Sequence, residues 1–457
     1  MQCSNFCGSR TRLLATILLA APLFGQLQSR PEVLQLSLKQ AVDLALAPEG
    51  NTRVRLAIED IKQAESRAQE ARAALLPDLE SYVQYQNETN NIKAFGFNFS
   101  SLIPPIPGLN LNFPSLLGPF NLFDARVQAQ QSIFDFSSLR RYQASRIAIE
   151  AVKADNEGTR DQVTDQVARA YLTALRAQAS LDTARSNVEL SNALLRLAQS
   201  QKDAGTGTGI EITRAQVQLA NDRQLELVAE NDLDRSRLQL LKVIGLRLDN
   251  PVELTGKLEY IPAGSMDAAQ ALGTAKEHRA ELKAQQKRED NARLSYSATK
   301  LERVPTVSAF ANYGDLGAGI TSALPTRDVG ISLKVPIFDG GRRDARRAES
   351  ASQYREEKIR MTDLRDQVEL EVRTALDGLR SADAEVKTAE EGLRLSENEL
   401  AQAERRYRAG VTNSIEVTDA QTRLARARDN RINALFNYNL ARIDLGTATG
   451  TIQSVIQ

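Results

Sequence analysis

Cysteine and histidine are almost missing from this 457-residue chain. Cys3 and Cys7 both precede an apolar run near the N-terminus, and His278 is the single histidine. A chain processed after that run would hold no cysteine, which excludes a disulfide framework, a cysteine metal site and a cysteine nucleophile. A lone histidine without neighbouring ligands makes no metal site. We therefore expect no metal, no cofactor and no catalytic constellation, and so no enzyme.

The chain also lacks an excess of either charge. Lys and Arg total 58, and Asp and Glu total 58, which argues against a nucleic-acid partner. No G-x-x-x-x-G-K-[ST] loop occurs, so we expect no ATP site. Tryptophan is absent and aromatics make up 5% of the chain. Ala, Leu, Arg, Gln and Glu dominate instead, a composition typical of long helices and coiled coils.

Long apolar runs are the third absence. Arg10 and Arg12 precede an apolar run, Leu13 to Phe24, that is too short to span a membrane comfortably. This pattern predicts a secretory signal peptide at residues 1–28, with a buried N-terminal helix as the alternative. No later segment has 18 consecutive apolar residues. The exported chain is therefore predicted to be periplasmic or to lie in the outer membrane as strands.

Two stretches repeat each other at a constant offset of 205 residues. KDAGTGTGIEITRAQVQL begins at Lys202, and YRAGVTNSIEVTDAQTRL begins at Tyr407. Such self-similarity predicts a duplicated unit. We expect a first repeat at 29–250, an inter-repeat equatorial segment at 251–273 and a second repeat at 274–457.

Each stretch is typical of a tight reversal between two helices, with tips at about 203–212 and 408–417. A glycine can take the left-handed conformation that ends a helix, Gly205 in the first repeat and Gly410 in the second. Thr208 and Asn413 can then cap the next helix, with a glutamate three residues later as the partner in a capping box.

The hydrophobic period changes to two in four segments. Val329, Ile331 and Leu333, for example, alternate with polar or small residues. Segments of about 9–11 residues match the tilted strands of a membrane barrel, and a soluble antiparallel sheet with one buried face is the alternative. The predicted strands are about 78–90, 122–134, 305–314 and 328–338. Within the first pair, 91–121 is predicted to be a long outer loop, either a partner-binding segment or a tolerated insertion.

Long helices are predicted after each strand pair. From Val368 to Tyr407 apolar or small residues recur at spacings of four and three, a heptad seam that predicts left-handed supercoiling. The seam continues after the second tip and is less regular in the first repeat. Shorter helices are predicted from Leu36 to Leu75, with a break at Pro48, and from about Thr274 to Val304.

Three phrases carry a family resemblance: AALLPDL, VPIFDGGRRDARR, and the second reversal with the helix after it. They resemble the TolC-like outer membrane efflux proteins, over about Leu36 to Gly450. The resemblance implies a mainly α fold with a membrane β-barrel part, built from two tandem repeats of helix–strand–strand–helix–hairpin. Three chains would share a 12-stranded barrel, continued by a periplasmic α-helical coiled-coil tunnel.

The implied function is a passive exit duct of a tripartite efflux or type I secretion system. The implied partners are two further copies of the chain, a periplasmic adaptor protein, an inner-membrane pump and outer membrane lipid. The implied location is the outer membrane of a Gram-negative type envelope, extending into the periplasm. The alternative from another class is a soluble periplasmic coiled-coil scaffold without a pore.

The resemblance also implies site residues at the tips. Rings of like charge at a pore constriction select cations. The implied pore constriction or gate is Glu211, Arg214, Tyr407, Glu416 and Asp419. The implied adaptor-contact tips are Gly205, Thr206, Gly207, Gly410, Val411 and Thr412. Simpler interpretations are helix caps for the two glutamates, a seam position for Tyr407 and plain tight turns for the tips.

Two positions depart from the family pattern. The resemblance places Thr412 where the family has a pore-restricting arginine, so the family's closing network would lack that arginine here. Arg214 stands in the first repeat where the second has Asp419, so the charge rings would be partly compensated.

Overall fold

The computed structural model describes residues 33–95, 116–262, 264 and 266–456. The predicted signal peptide at 1–28 and most of the predicted outer loop lie outside these residues. The first half contains β1 (Leu34–Leu36), α1 (Leu38–Leu46), α2 (Thr52–Ala73), β2 (Asp78–Asn91), β3 (Leu116–Phe134), α3 (Phe136–Asp203) and α4 (Gly209–Ile244). The second half contains β4 (Val252–Leu254), α5 (Ala268–His278), α6 (Ala280–Leu301), β5 (Thr306–Gly317), β6 (Leu324–Lys334), α7 (Arg342–Arg408), α8 (Ser414–Thr449) and α9 (Ile452–Val455).

The N-terminal helix breaks where proline and glycine predict it. Asn51 caps α2 by accepting a hydrogen bond from the Arg53 amide at 2.8 Å. The predicted helix start at Leu36 is wrong, because that residue belongs to β1, which pairs in parallel with β4 of the inter-repeat segment. Ser37 forms a capping box with Gln40, so α1 begins at Leu38, two residues after the predicted start.

The helix predicted from about Thr274 differs in two ways. It begins earlier, at Ala268, because Asp267 and Gln270 form a capping box. It is also interrupted at Arg279, whose extended ψ of 116° separates α5 from α6. The buried guanidinium of Arg279 pairs with Glu371 at 2.7 Å on α7. This pairing across the fold has no signature in the local sequence.

The four long strands form one antiparallel sheet in the order β2-β3-β5-β6. Each repeat contributes a hairpin, and β3 pairs with β5 to join them. β3 begins at Leu116, so it takes up the end of the predicted loop. β6 ends at Lys334, two residues before Pro336, because proline has no backbone N–H to donate a hydrogen bond to a neighbouring strand.

One face of this sheet is apolar and exposed. Leu79 is 70% exposed, Val83 74%, Val329 75% and Ile331 73%. The opposite face is polar; on it Arg126 pairs with Asp124 at 2.7 Å. β2 and β6 are the outer strands, and within the described residues their outer edges have no strand partner.

The helices form two long antiparallel hairpins, α3 with α4 and α7 with α8. At 1.5 Å per residue α7 is about 100 Å long. The predicted heptad seam is buried, with Val372 fully buried and Val386 1% exposed. Arg428 on α8 donates to Asn187 on α3 at 2.8 Å, which holds the hairpins side by side. Over the described residues, no helix has both the length and the apolar character needed to cross a membrane.

The main core lies at the equator, where the inter-repeat segment wraps the hairpins. Tyr171, 1% exposed, donates to the carbonyl of Leu36 at 3.0 Å and accepts from the amide of Gly256 at 3.1 Å. A Cβ at Gly256 would lie 2.8 Å from this hydroxyl, so the close approach requires glycine. The hydroxyl of Tyr171 therefore connects β1 in the first repeat to the inter-repeat segment.

Asp161 on α3 supplies a pH-dependent prediction. Burial raises its pKa above the ordinary value of 3.8, against a hydrogen bond from Gln453 at 3.2 Å. A raised pKa in the folded state gives stability that is present below the unfolded pKa and lost as pH rises through the folded pKa. Asp161→Asn should therefore raise the thermal midpoint at pH 7, and this gain should vanish near pH 3.8.

The measurement is thermal unfolding of the detergent-purified protein from pH 3.5 to 8. Asp182→Asn, at an exposed position on the same helix, is the control and should change the midpoint at neither pH. A gain for Asp161→Asn that is equal at both ends of the range would contradict the role given to burial.

Candidate functional site

Both predicted reversals are present and share the same backbone geometry. Gly205 has φ of 78° and Gly410 has φ of 71°, in the left-handed region. In each turn the amide after the glycine donates to the carbonyl five residues before it, that of Gln201 at 2.9 Å in the first and that of Arg406 at 3.0 Å in the second. This is the Schellman ending of a helix. A Cβ would meet nothing within 4 Å at either glycine, so the backbone angle is what requires glycine.

The two tips differ in how the next helix is capped. At the first tip Thr208 and Glu211 form the predicted capping box, with the threonine amide donating to the carboxylate at 3.0 Å. At the second tip Asn413 caps α8 through the Ile415 amide at 3.1 Å. The capping box predicted for Glu416 is not formed, because its carboxylate is engaged elsewhere.

Glu416 has two partners that sequence reasoning missed. Arg406, from the last turn of α7, donates to it at 2.8 Å, and the Thr412 hydroxyl also donates to it. The arginine lies ten residues before the glutamate and meets it only because the chain reverses. Arg406 and Thr412 therefore both donate hydrogen bonds to the carboxylate of Glu416.

A cavity of about 30 Å³ lies between the hairpins near their tips, and Glu211, Arg214 and Tyr407 line it. That volume holds about one or two water molecules. The hydroxyls of Tyr407 and Ser414 are buried and have no hydrogen-bond partner within the described part of the chain. Burial raises the pKa of Tyr407, and the negative charge of Glu211 raises it further.

Tyr407 is also a seam residue. It is 5% exposed and packs with Leu400, Val417 and Leu424 of its own hairpin and with Leu194 of the other. Its carbonyl accepts a hydrogen bond of 3.4 Å from Gln201, so the two tips contact each other directly. Tyr407 is therefore both a packed residue of the heptad seam and a residue that lines the cavity between the tips.

The structure brings three of the five predicted constriction residues to one cavity. Glu416 and Asp419 do not line it; Glu416 is half-buried beside Arg406, and Asp419 is exposed on α8. Of the predicted adaptor-contact tips, Gly207 and Thr412 are half-buried, and Gly205, Thr206, Gly410 and Val411 are exposed. Among the described residues, no group of three or more His, Cys, Asp or Glu side chains is arranged so that it could hold a metal ion.

Sequence reasoning also missed a buried acidic residue above the cavity. Asp222 on α4 is 6% exposed, accepts from the Ser191 hydroxyl of α3, and accepts from Gln218 at 3.0 Å. Asp222 falls in the buried heptad seam, three residues after Leu219 and four turns before Ser236. A charged residue at a seam position, where apolar residues are expected, is the sequence signal that could have identified Asp222.

Known proteins resemble this chain along most of its length. The sequence matches the family model described as outer membrane efflux protein over residues 44–246 and 271–451. It is similar to the outer membrane protein TolC of Vibrio cholerae, at 24% identity over 77% of this chain and 83% of that protein. It is similar to the pyoverdine export outer membrane protein OpmQ of Pseudomonas putida, at 23% identity over 85% and 81%.

Solved structures resemble the fold. The outer membrane protein VceC of Vibrio cholerae has a TM-score of 0.74 at 19% identity, covering 90% of this chain and 96% of that one. CusC has a TM-score of 0.74 at 16% identity, covering 94% and 95%. These likenesses confirm the fold class predicted from the sequence.

The unpartnered hydroxyl of Tyr407 leads to a second prediction. Tyr407→Phe should change the free energy of unfolding by less than about 0.5 kcal/mol, because it removes a hydroxyl that makes no hydrogen bond. Tyr438→Phe is the matched comparison, since its hydroxyl donates to the Ile261 carbonyl at 2.8 Å. That variant should lose about 1–2 kcal/mol.

Denaturant unfolding of both variants in detergent measures the difference. Equal losses for the two variants would show that the Tyr407 hydroxyl has a partner in the assembled protein.

Proposed function

Since this chain belongs to the outer membrane efflux protein family, we propose that it is the exit duct of a tripartite efflux or type I secretion system. The family consists of outer membrane channels. This chain is located in the outer membrane, and its helices extend into the periplasm. The duct conducts its substrates passively, and we assign it no reaction. Energy and substrate choice come from an inner-membrane pump, reached through a periplasmic adaptor.

The observation that carries this proposal is the exposed apolar face of an open sheet. Leu79, Val83, Val329 and Ile331 would be costly to expose to water on a soluble protein and favourable to expose to lipid. Four strands cannot close a barrel, and strand edges cannot face lipid because their polar groups would lack partners. Three copies would supply twelve strands, an even number as barrels of this kind have.

The helical hairpins would then continue the barrel as a tunnel. The longer helix of each hairpin, α3 or α7, is about 100 Å long, enough to reach far into the periplasm. Their tips lie at the end away from the sheet, where an adaptor would meet them. The exposed turn residues Gly205, Thr206, Gly410 and Val411 are the best contact points, with Gly207 and Thr412 behind them.

We place the constriction of the tunnel at the same tips. Glu211, Arg214 and Tyr407 surround the cavity between the hairpins and would couple their movement. Asp419 has no ion pair among the described residues, whereas Glu416 is paired with Arg406. In a threefold assembly Asp419 would give the stronger ring of negative charge.

The molar mass of the protein extracted from envelope membranes tests the channel. Light scattering in detergent should give a particle of three chains that is not released without detergent. A soluble monomer or dimer would defeat the channel and support the periplasmic coiled-coil scaffold instead.

Cation block of the channel tests the constriction. In planar bilayers Asp419→Ala should raise the half-blocking concentration of a trivalent cation such as lanthanum by about fivefold, equal to ~1 kcal/mol of lost attraction. Glu416→Ala should have a smaller effect, because Arg406 already compensates its charge. Glu277→Ala, an exposed position on α5 away from the tips, should leave the block unchanged. Unaltered block in Asp419→Ala would remove this residue from the constriction.

A further inference from the structure

Four junctions between strands and long helices lie at one end of the sheet. Asp78, where β2 begins, pairs with Gln130 near the end of β3. Thr306, where β5 begins, pairs with Lys334, where β6 ends. Because β3 and β5 are neighbours, both pairs lie at the same end. The helices α2, α3, α6 and α7 therefore all meet the sheet along one line, which we term the junction collar (residues 72–78, 135–147, 296–304 and 339–347).

The collar is positively charged although the whole chain is neutral. Its 72–78, 135–147, 296–304 and 339–347 segments contain ten Lys or Arg against five Asp or Glu. The excess comes from the last three segments, since the first is balanced. In an assembly of three copies this excess would form a continuous belt.

Ion pairs join the last three segments of the collar and occupy three of its five acids. Glu302 at the end of α6 pairs with Arg141 on α3 and with Arg346 on α7, the latter at 2.7 Å. Arg303 pairs with Asp344. Three helices from distant parts of the sequence are therefore held in one network, which fixes the positions of the remaining cations.

Six of the ten cations of the collar make no ion pair with any residue that the structure describes, and two of these six are the arginines nearest the starts of the long helices α3 and α7. Arg140 and Arg342 are exposed, and neither makes an ion pair with any residue that the structure describes. Arg140 donates only to the neutral side chain of Gln143, at 2.7 Å. Their guanidinium groups are available to an external anion.

Large apolar side chains stand exposed beside these cations. Ile337 is 93% exposed and Phe338 87%, only a few residues before Arg342. Phe136, which begins α3, is 49% exposed, and Phe134 before it is 57% exposed. A line of apolar side chains next to a line of arginines matches the boundary between the acyl chains and the headgroups of a bilayer.

We propose that the junction collar binds the phosphate headgroups of anionic phospholipids in the leaflet that faces the periplasm. This inference rests on the proposed function, because the sheet must lie in the bilayer for the collar to reach that depth. Arginine is suited to phosphate because its guanidinium donates two parallel hydrogen bonds. The exposed Ile337 and Phe338 would lie among the acyl chains. A second copy of this chain is a poorer occupant, because it would bring the same positive charge.

Lipid binding by the detergent-purified protein tests the proposal. Native mass spectrometry with phosphatidylglycerol and phosphatidylcholine, at low and raised salt, gives the affinity for each. The wild type should prefer phosphatidylglycerol, and salt should weaken that preference. The double variant Arg140→Gln/Arg342→Gln should lose about twenty-fivefold in phosphatidylglycerol affinity, about fivefold for each arginine, with the affinity for phosphatidylcholine unchanged.

Matched variants and the assembly state make the outcomes distinct. Arg196→Gln/Arg394→Gln removes two exposed arginines of the tunnel helices, far from the sheet, and should keep wild-type lipid affinity. Equal affinity for the two lipids, or no loss in Arg140→Gln/Arg342→Gln, would overturn the collar. So would a double variant that loses the three-chain particle while keeping its lipid affinity, because the surface would then be a contact between copies.

Failure of the channel would look different. A protein that is soluble without detergent would defeat the exit duct and the collar together, whereas a detergent-extracted particle of three chains that shows no phosphatidylglycerol preference would overturn the collar alone.

Discussion

The close packing of small apolar side chains along the heptad seams supports the rest of this structure. Residues such as Val372, Val386 and Ala403 are buried along α7, whereas most of its surface is charged. A helix with so polar a composition gains its stability from this one stripe. The buried stripe runs from Met361 to Tyr407, and it packs α7 against the 36-residue α8 over about 50 Å. It thereby fixes the tips at one end relative to the sheet at the other.

The two ends that the seam separates have different chemistry. At the sheet end, exposed apolar side chains lie beside an excess of arginine, so the surface suits a boundary between lipid and water. At the tip end, Gly205 and Gly410 reverse the chain, and polar groups enter the otherwise apolar seam. Asp222, Tyr407 and the hydroxyl of Ser414 are buried there among leucine and alanine. Such groups weaken packing locally, which fits a region that must move if the proposed duct opens.

The duplicated unit is not used symmetrically. Glu211 and Glu416 occupy equivalent positions, yet the first caps its own helix and the second binds Arg406. The first tip has Arg214 where the second has Asp419. Each protomer therefore presents two unlike tips, although the backbone turns are the same. Duplication kept the geometry, while side-chain changes gave each tip its own electrostatics.

Local patterns in the sequence determined the elements of this protein. The period of 3.5, the period of two, and glycine followed by a capping residue predicted the hairpins, the strands and both reversals, because each depends on neighbours within one or two turns. Only the tertiary structure decided which elements meet. The join between β3 and β5, the break at Arg279, the partner of Glu416 and the convergence of Arg141, Glu302 and Arg346 all link residues far apart in the chain. Such contacts depend on where whole helices and strands lie, which no local pattern encodes.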